Sequence, residues 1–271
     1  MLKNLLLMFS LLTFAAEASI RIMPLGDSIT YGDSYADRDN PRPAGLRHAY
    51  RNHLWYKLKG AGMDVDFVGS VIAGQDVQPP FDPDNEGHPG WTSYDIAEQA
   101  YSYMINSGPD MVLLHIGTND RTTTDPEGVA AILNEIDQYE SDSGHHVRVF
   151  VALIIDRLAH DGRIEIFNRR LKAMLEERIM EGDDIVIVDM YHGAGLTPSD
   201  YADNTHPNDV GYEKMARVWF NAIMQNKNYN SDIRAFPTSL VPRENIISVS
   251  YDDANGVVRF MVEIPDSGIQ F

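Results

Sequence analysis

A serine, a histidine and an aspartate of this chain stand in contexts that suit nucleophilic catalysis. Ser28 lies in the segment 26–30, GDSIT, directly after a short apolar run at 20–23. A serine hydroxyl is a weak nucleophile. It needs a neighbouring base, a group that orients the base, and donors for an oxyanion. If Ser28 acts as a nucleophile, other segments of the chain must supply these groups.

Asp203 and His206 are candidates for the orienting group and the base. They are three residues apart in the segment 203–208, DNTHPN. At this spacing the carboxylate can curl back and accept a hydrogen bond from one imidazole nitrogen. The other nitrogen is then free to face Ser28, and the tautomer that acts as a base is fixed. A lone serine or histidine is usually structural, so the Asp203 partner is what distinguishes His206 from the other histidines.

Two further segments contain candidate donors for an oxyanion. Asn119, in the segment 117–120, GTND, follows an apolar run at 111–116. Gly90 lies in the segment 87–91, GHPGW, where a backbone N–H can approach a ligand without interference from a side chain. Taken alone, each segment is more typical of an ordinary turn or helix cap.

Apolar runs and amphipathic patterns alternate along the chain and must position these residues. Strands are predicted at 20–23, 64–69, 111–116, 147–155 and 185–189, and helices at 47–61, 94–105, 126–139, 163–180 and 209–224. Asp125 is the expected N-cap of the third helix, with Pro126 at its first position. This alternation predicts a doubly wound parallel sheet of five strands with helices on both faces. In such sheets ligands bind beyond the carboxyl ends of the strands.

Two long segments interrupt the alternation. Residues 33–45 are predicted to form a loop that overhangs Ser28, and 73–91 reads as a loop rich in Gly, Pro and Asp. Within the second loop, Asp82 to Gly87 matches the first half of an EF-hand calcium loop. Ser93 stands where that motif requires Glu, and Pro83 restricts the backbone. A solvated acidic loop is therefore favoured over a calcium site near Asp82 and Asp84.

The first 18 residues have the pattern of a secretory signal peptide. Lys3 precedes an apolar run at 5–16, and Ala16-Glu17-Ala18 fits a signal peptidase site with cleavage after Ala18. The run is too short to span a bilayer comfortably, which takes roughly 20 residues. We therefore predict a secreted or periplasmic protein whose main domain occupies residues 19–226.

Residues 227–271 are predicted to form a linker and a β-hairpin tail. The polar, proline-punctuated stretch up to 242 is followed by alternating segments at 246–251 and 257–264, around the turn residues 252–256, DDANG. A lone hairpin is only marginally stable in water. The tail would therefore dock on the main domain, pair with another chain, or begin a larger β-domain cut short at Phe271.

Composition excludes several classes of function. The 271 residues contain no cysteine, so disulfides, a thiol nucleophile and thiolate metal sites are ruled out. The formal net charge of −18 opposes binding to nucleic acid or to an anionic membrane surface. Neither is expected as a partner, and the oligomeric state is left open.

Together and in this order, the four segments resemble the SGNH hydrolase superfamily, also called GDSL-type esterases. The resemblance covers residues 20–225 and implies a three-layer α/β/α, flavodoxin-like fold and ester hydrolysis. Ser28 would attack the acyl carbonyl, His206 would take and return the proton, and Asp203 would orient the imidazole. The N–H groups of Ser28 and Gly90 and the amide of Asn119 would hold the oxyanion. No metal or organic cofactor is implied.

The 87–91 block and the signal peptide resemble the secreted carbohydrate esterases of the acetylxylan esterase kind. This resemblance implies a small acyl ester or an acetylated polysaccharide as substrate. Tyr31, Tyr35 and Trp91 could stack on sugar rings, and no long apolar lid for a fatty acyl chain is evident.

Other functions compete with this interpretation. A generic aryl or alkyl esterase or a lysophospholipase-like enzyme is the first alternative, and a non-catalytic carbohydrate-binding protein is the second. A phosphate- or flavin-binding protein is disfavoured, because the glycine patterns of those sites are missing and Asp203 and His206 would be unexplained.

Overall fold

The computed structural model describes residues 19–226 with their side chains, and beyond them the strands Ile246–Asp252 and Val257–Val262. The chain forms two compact units, Met1–Gln225 and Asn226–Phe271. In the second unit the two strands pair antiparallel. The predicted signal peptide, the linker and the turn of the hairpin lie outside the described residues. Among the described helices, none is both long enough and apolar enough to cross a membrane.

The first unit is organised around one sheet. Its strands are β1 (Ile20–Gly26), β2 (Val65–Phe67), β3 (Val71–Ile72), β4 (Asp84–Gly87), β5 (Met111–His115), β6 (Arg148–Ala152) and β7 (Ile185–Val188). On one side β1 pairs in parallel with β5, and β6 and β7 follow. On its other side β1 pairs in parallel with β2 along its first half and with β4 along its second half. At the edge, β3 runs antiparallel to β4.

Helices cover both faces of this sheet. They are α1 (Ser28–Tyr31), α2 (Ala36–Asp39), α3 (Ala49–Gly60), α4 (Ser93–Ser107), α5 (Glu127–Ser143), α6 (Gly162–Glu181), α7 (Met190–Gly193) and α8 (Asp209–Asn226). Successive residues of a strand point to opposite faces. Accordingly, Met23 and Leu25 of β1 belong to an apolar core with residues of α4, α5 and α6, whereas Ile22 belongs to a second core with residues of α3 and α8. This arrangement confirms the predicted three-layer, doubly wound α/β fold.

Apart from β4, which pairs with the second half of β1, the parallel strands follow the spatial order β2-β1-β5-β6-β7. This is the flavodoxin-like order, in which the direction of winding switches between the first and third parallel strands. Here those strands are β1 and β5. The segments that follow them begin with Ser28 and contain Asn119, so both candidates lie at the switch point where ligands bind in such sheets.

The sheet has seven strands, not the predicted five, because β3 and β4 were not anticipated. Asp84–Gly87 is polar and was assigned to a loop, yet Asn85 and Glu86 are fully buried. Their side chains are satisfied by partners more than ten residues away: Asn85 donates to the Val71 carbonyl, and Glu86 accepts from the Ser70 hydroxyl. Burial of these polar groups is possible only because the partners are in place.

Two smaller expectations also differ from the structure. α5 begins at Glu127, with Pro126 as a cap residue that makes no side-chain cap bond. Asp125 does not cap this helix, since its carboxylate pairs with Arg170. In the acidic loop, the Asp82 carboxylate accepts hydrogen bonds from the N–H groups of Phe67 and Asp84.

Candidate active site

The turn after β1 presents Ser28 at the carboxyl edge of the sheet. Gly26 closes the strand, and a Cβ there would lie 2.2 Å from the carbonyl oxygen of His115 on β5, so only glycine allows this approach. The Asp27 carboxylate caps α1 by accepting from the N–H of Ile29 over 2.9 Å. Ser28 is thereby fixed as the first residue of α1, and it is 7% exposed.

His206 brings its imidazole to this hydroxyl from the loop before α8. Its Nε2 atom lies 2.9 Å from Ser28 Oγ. Its Nδ1 atom lies 3.0 and 2.9 Å from the two carboxylate oxygens of Asp203. These distances fit a neutral imidazole that donates from Nδ1 to Asp203 and accepts at Nε2 from Ser28, which is the tautomer a base needs.

Asp203 is held as a charged carboxylate. Burial alone would raise the pKa of Asp203. Hydrogen bonds from the N–H groups of Tyr35, Thr205 and His206, together with the imidazole, outweigh burial and hold this pKa below its usual value. The three N–H donors lie 2.7 to 2.9 Å from its oxygens. A charge fixed in this way can stabilise an imidazolium on His206.

One pocket of about 250 Å³ is lined by Ser28, His206, Gly90 and Asn119 together. Among the described residues, the main-chain N–H groups of Ser28 and Gly90 donate to no other protein group. Gly90 has φ +85°, which favours glycine, and a Cβ there would meet nothing within 4 Å. Both N–H groups are therefore available to a ligand in this pocket.

Asn119 is anchored and still has donor capacity. Its Nδ2 donates to the Trp91 carbonyl over 2.9 Å, and an amide nitrogen has a second hydrogen to give. The next residue, Asp120, accepts from both the N–H and the hydroxyl of Ser93, at 2.9 and 2.6 Å. These bonds join the segment after β5 to the segment that contains Gly90.

A partly buried histidine, His88, supports the turn around Gly90. The N–H of His88 donates to the Gly26 carbonyl over 2.9 Å, and His88 Nε2 lies 2.9 Å from the buried Glu86 carboxylate. The His88 ring stacks between Trp91 and Tyr103, with ring centroids 4.3 and 5.3 Å apart. The stacking and a hydrogen bond from Trp91 N–H to the His88 carbonyl thus hold together the two residues on either side of the Pro89-Gly90 turn.

The three residues proposed to stack on sugar rings differ in their position relative to the pocket around Ser28. Neither Tyr31 nor Trp91 is among the residues that line the pocket around Ser28. Trp91 is half-buried against His88, and the Arg47 guanidinium lies over the Tyr31 ring at 5.5 Å. Stacking of sugars on Tyr31 or Trp91 stays a prediction. Tyr35, by contrast, does line the pocket.

Tyr35 makes contacts that no sequence pattern indicated. Its N–H donates to Asp203 Oδ2 over 2.7 Å. Its ring and the His206 imidazole are perpendicular, with their centroids 5.0 Å apart. Its hydroxyl oxygen lies 2.7 Å from Thr205 Oγ1. The only indication of these contacts in the sequence was that Tyr35 lies in the insertion at 33–45, which closely follows Ser28.

Asp27 is a second residue whose environment was not anticipated. It is fully buried, and burial is the largest of the effects that raise its pKa to about 7. Its Oδ1 accepts from Ile29, while its Oδ2 has no hydrogen-bond partner among the described residues. A carboxyl that is protonated at mildly acidic pH therefore lies beside Ser28.

A second pocket of about 320 Å³ shares Tyr35 and Arg121 with the pocket that contains Ser28. It is also lined by Arg157 and Arg163 and by apolar side chains such as Phe167. The two pockets adjoin at the residues that they share, and we call them together the groove beside Ser28.

Solved structures and a curated relative resemble this chain over most of its length. The Clostridium thermocellum family 3 carbohydrate esterase is 29% identical, with a TM-score of 0.64 over 77% of this chain and 96% of its own. A Talaromyces cellulolyticus carbohydrate esterase of family 3 and a serine-to-alanine mutant of an acetyl esterase, solved with an acetate ion, are each 29% identical. Each has a TM-score of 0.62 over 76% of this chain and 97% of its own. A multidomain esterase of Ruminococcus flavefaciens is 29% identical in an alignment 239 positions long, which covers 77% of this chain but only 29% of that protein.

A family model agrees with these similarities. The model of the GDSL-like lipase/acylhydrolase family matches residues 25–214, which include Ser28, Gly90, Asn119, Asp203 and His206. The match covers more than half of the chain and confirms the resemblance expected from the four sequence blocks. The chain accordingly belongs to the GDSL-like lipase/acylhydrolase family.

Proposed function

We propose that this chain is a secreted serine esterase that removes short acyl groups, chiefly acetyl groups, from carbohydrates. The observation that carries the proposal is the relay from Ser28 Oγ to His206 Nε2, at 2.9 Å, and from His206 Nδ1 to Asp203. This relay lies beside free N–H donors in one pocket. Nucleophile, base, orienting carboxylate and oxyanion donors are the parts that acyl transfer needs.

In the first half of the reaction, Ser28 Oγ attacks the carbonyl carbon of the ester while His206 Nε2 takes the hydroxyl proton. The carbonyl π electrons move to the oxygen, and Asp203 stabilises the imidazolium that forms. The oxyanion accepts from Ser28 N–H, Gly90 N–H and the Asn119 amide. One such donor contributes about 3–4 kcal/mol to transition-state stability.

When the tetrahedral intermediate collapses, the bond to the alcohol oxygen breaks and His206 returns the proton to that oxygen. Ser28 is left acylated. A water molecule then gives its proton to His206 and attacks the same carbonyl carbon. A second collapse releases the acid and restores the Ser28 hydroxyl.

The substrate class is supported by two observations. The pocket around Ser28 is small, about 250 Å³, and largely polar residues line it, including Arg38, Arg121 and Thr205. Such a pocket suits an acetyl group better than a fatty acyl chain. The second observation is that the similar solved structures include family 3 carbohydrate esterases and an acetyl esterase.

The test compares p-nitrophenyl acetate, p-nitrophenyl octanoate and acetylated xylan as substrates of wild type and Ser28→Ala. We expect Ser28→Ala to lose at least about 10³-fold in kcat, since the nucleophile is gone. Ser102→Ala is the matched control, because Ser102 is exposed on α4, and it should keep the wild-type rate. A Ser28→Ala variant with wild-type activity would contradict the mechanism.

The same experiment separates the substrate classes. Release of acetate from xylan together with a preference for the acetate over the octanoate supports the carbohydrate assignment. Hydrolysis of the aryl ester without release of acetate from the polysaccharide would indicate a generic aryl or alkyl esterase. Export is tested separately, by the N-terminal sequence of protein recovered outside the cytoplasm, which is expected to begin at Ser19.

A further inference from the structure

A cluster of potential metal ligands lies outside the pocket of Ser28. His48 immediately precedes α3, His53 lies on α3, and Asp209 is the first residue of α8. One ligand atom from each residue lies within 4.8 Å of the other two. The Asp209 Oδ1 atom is 2.9 Å from His53 Nε2 and 3.7 Å from His48 Nε2. The mechanism proposed above uses none of the three.

We propose that His48, His53 and Asp209 bind one divalent transition-metal ion, with Zn²⁺ as the expected ion. Tetrahedral zinc binds nitrogen and oxygen ligands at about 2.0–2.1 Å, which places neighbouring ligand atoms roughly 3.3 Å apart. The two distances to Asp209 bracket that value. Two imidazoles and one carboxylate suit Zn²⁺ better than Ca²⁺ or Mg²⁺, which prefer oxygen ligands, and water would complete the shell.

The surroundings of His48 favour the metal-binding tautomer. Its Nδ1 lies 3.0 Å from the Ala49 carbonyl, so Nδ1–H can donate there and leave the Nε2 lone pair free for a metal. Histidine ligands of metals usually make such a bond from the other ring nitrogen. Ala49 itself has φ +50°, the only positive φ of a non-glycine residue among the described residues. Such backbone strain occurs preferentially at functional positions.

The cluster is accessible to an ion from solution. The side chains of His48 and His53 are 23% and 22% exposed, and that of Asp209 is 68% exposed. Among the described residues, no Lys or Arg side chain forms an ion pair with Asp209, so a metal would displace no other cation.

A metal here would connect the two sides of the active site. On one side, the backbone at His48 and Ala49 packs against Gly32, the C-cap of the short helix that begins with Ser28. On the other side, Asp209 follows the base His206 by three residues. A single ion would therefore link α3 to the start of α8 and stabilise the folded arrangement of the two segments.

The test uses the purified full chain after removal of metals with EDTA. Calorimetric titration should show one Zn²⁺ per chain. The melting temperature should rise by roughly 5 °C or more at a hundredfold excess of free Zn²⁺ over Kd, with no rise in Ca²⁺. His53→Gln and Asp209→Asn should each weaken zinc binding by at least about tenfold.

A matched control is available in His192→Gln. His192 Nδ1 lies 3.0 Å from Asp189, so it forms an exposed His–Asp pair, and no third ligand lies near it in the described part of the chain. This variant should bind Zn²⁺ as wild type does. Failure of the wild type to bind one Zn²⁺ would overturn the proposal. Unchanged binding by both His53→Gln and Asp209→Asn would overturn it too, since zinc would then be bound elsewhere.

A second inference comes from the charges around the pocket of Ser28, and it rests on the function proposed above. In a chain of net charge −18, Arg38 and Arg121 both line this pocket. Neither forms an ion pair with a carboxylate among the described residues. Arg121 also lines the adjoining pocket, together with Arg157 and Arg163.

The carboxylates that line the same surfaces are already engaged. Asp33 pairs with Arg47 at 2.8 Å. Asp161 pairs with Arg157, with 3.6 Å between Asp161 Oδ2 and Arg157 Nε, and Asp120 accepts two hydrogen bonds from Ser93. Among the described residues, Arg38, Arg121 and Arg163 thus form no ion pair with these acids, although the net charge of the chain is −18.

From these charges we infer that the carbohydrate substrate carries carboxylate groups, as uronic acid residues do. An arginine guanidinium can bind a carboxylate through two parallel hydrogen bonds. Arg38 and Arg121 would hold an acidic sugar next to the acetylated one, with the acetyl group over Ser28. A neutral acetylated polymer would lack this attraction.

The matched substrates are an acetylated uronate-containing oligosaccharide and the same compound with its carboxylates converted to amides. Wild type should show a kcat/KM for the acid form at least about tenfold above that for the amide form, and added salt should reduce this ratio. Arg121→Gln and Arg38→Gln should each lower the ratio. Arg217→Gln, an exposed change on α8, should leave it unchanged.

Two outcomes are distinct. Equal kcat/KM for acid and amide forms, with p-nitrophenyl acetate still hydrolysed, would overturn the acidic-substrate inference and leave the esterase proposal intact. Loss of hydrolysis of every acetyl ester would instead contradict the proposed function itself.

Discussion

The main-chain N–H of Tyr35 donates to the Oδ2 atom of Asp203 over 2.7 Å. This bond joins the insertion that follows Ser28 to the loop that carries His206. Because an N–H donor stabilises the charged carboxylate, it contributes to the lowered pKa of Asp203. The insertion therefore acts on the orienting carboxylate through its backbone, in addition to covering the pocket with the Tyr35 ring.

Two substitutions at Tyr35 separate its backbone from its ring. Tyr35→Ala removes the ring and keeps the N–H, whereas Tyr35→Pro removes both. Tyr35 has φ −64°, close to the value that proline requires. We expect Tyr35→Pro to have a kcat/KM roughly tenfold or more below that of Tyr35→Ala, since a hydrogen bond to a charged group contributes about 1.5–3 kcal/mol.

The pH profile gives a second measurement for this pair. Losing the Tyr35 N–H should raise the pKa of Asp203, so the acid limb of kcat/KM should move to higher pH in Tyr35→Pro than in Tyr35→Ala. Circular dichroism would show that both variants are folded. Identical rates and pH profiles in the two variants would mean that the backbone bond has no effect on Asp203.

Asn119 is predicted to act in the transition state and not in substrate binding. Asn119→Ala should lower kcat by about 10²–10³-fold with little change in KM, because the amide donor would meet the oxyanion only once it forms. Asn119→Asp should be at least as damaging, since it puts a negative charge beside the oxyanion. Thr122→Ala, an exposed change in the same loop, is the control and should keep the wild-type kcat. If Asn119→Ala instead raises KM and leaves kcat unchanged, Asn119 acts in ground-state binding of the substrate.

The sequence was sufficient for the features that depend on local patterns. Five of the six parallel strands showed as apolar or alternating segments, and the three-residue spacing of Asp203 and His206 predicted their hydrogen bond. β4 was missed because its buried polar residues Asn85 and Glu86 look like loop residues until their distant partners are known. Hydrophobic periodicity does not report such partners.

Sequence patterns also could not predict two features of the site. The role of Tyr35 depends on a main-chain N–H, which every residue except proline has, so its side chain gives no indication of it. The environment of Asp27 depends on complete burial by tertiary packing. A carboxylate next to the nucleophile looks like an exposed helix cap in sequence, and only the fold shows that Asp27 is enclosed.

Asp27 should make stability depend on pH. Burial raises its folded-state pKa to about 7, from 3.8 for an aspartate in water. Between these two values the folded chain holds a proton that the unfolded chain has released, so this group makes the free energy of unfolding fall as pH rises through that window. Above pH 7 both states have lost the proton and the effect levels off.

Asp27→Asn should abolish this contribution, because an amide does not ionise. Between pH 4.5 and 8, we expect wild type to lose about 3 kcal/mol more unfolding free energy than Asp27→Asn does. Urea unfolding of both proteins across this range gives the comparison, and other titrating groups cancel in the difference. Parallel stability curves for the two proteins would show that Asp27 does not hold a proton in the folded state.

Arg51 is predicted to be the largest single polar contribution to the structure behind Ser28. Its guanidinium is fully buried and donates to five backbone carbonyl groups, those of Thr30, Tyr31, Arg47, Ala73 and Pro83. Burial lowers the pKa of Arg51 to about 10, so it is still charged at neutral pH. Two of its acceptors, Thr30 and Tyr31, belong to the helix that begins with Ser28.

Arg51→Met should therefore destabilise the protein by about 3–5 kcal/mol, because it fills much of the same space but leaves buried carbonyl groups without donors. Arg217→Met makes the same chemical change at an exposed position of α8 and should alter the unfolding free energy by about 0.5 kcal/mol or less. Urea unfolding of the two variants measures the difference directly. Because Arg51 holds the carbonyl groups of the Ser28 helix, folded Arg51→Met below its melting temperature should also show a lower kcat. A stability loss equal to that of Arg217→Met would mean that water replaces the guanidinium at these carbonyl groups.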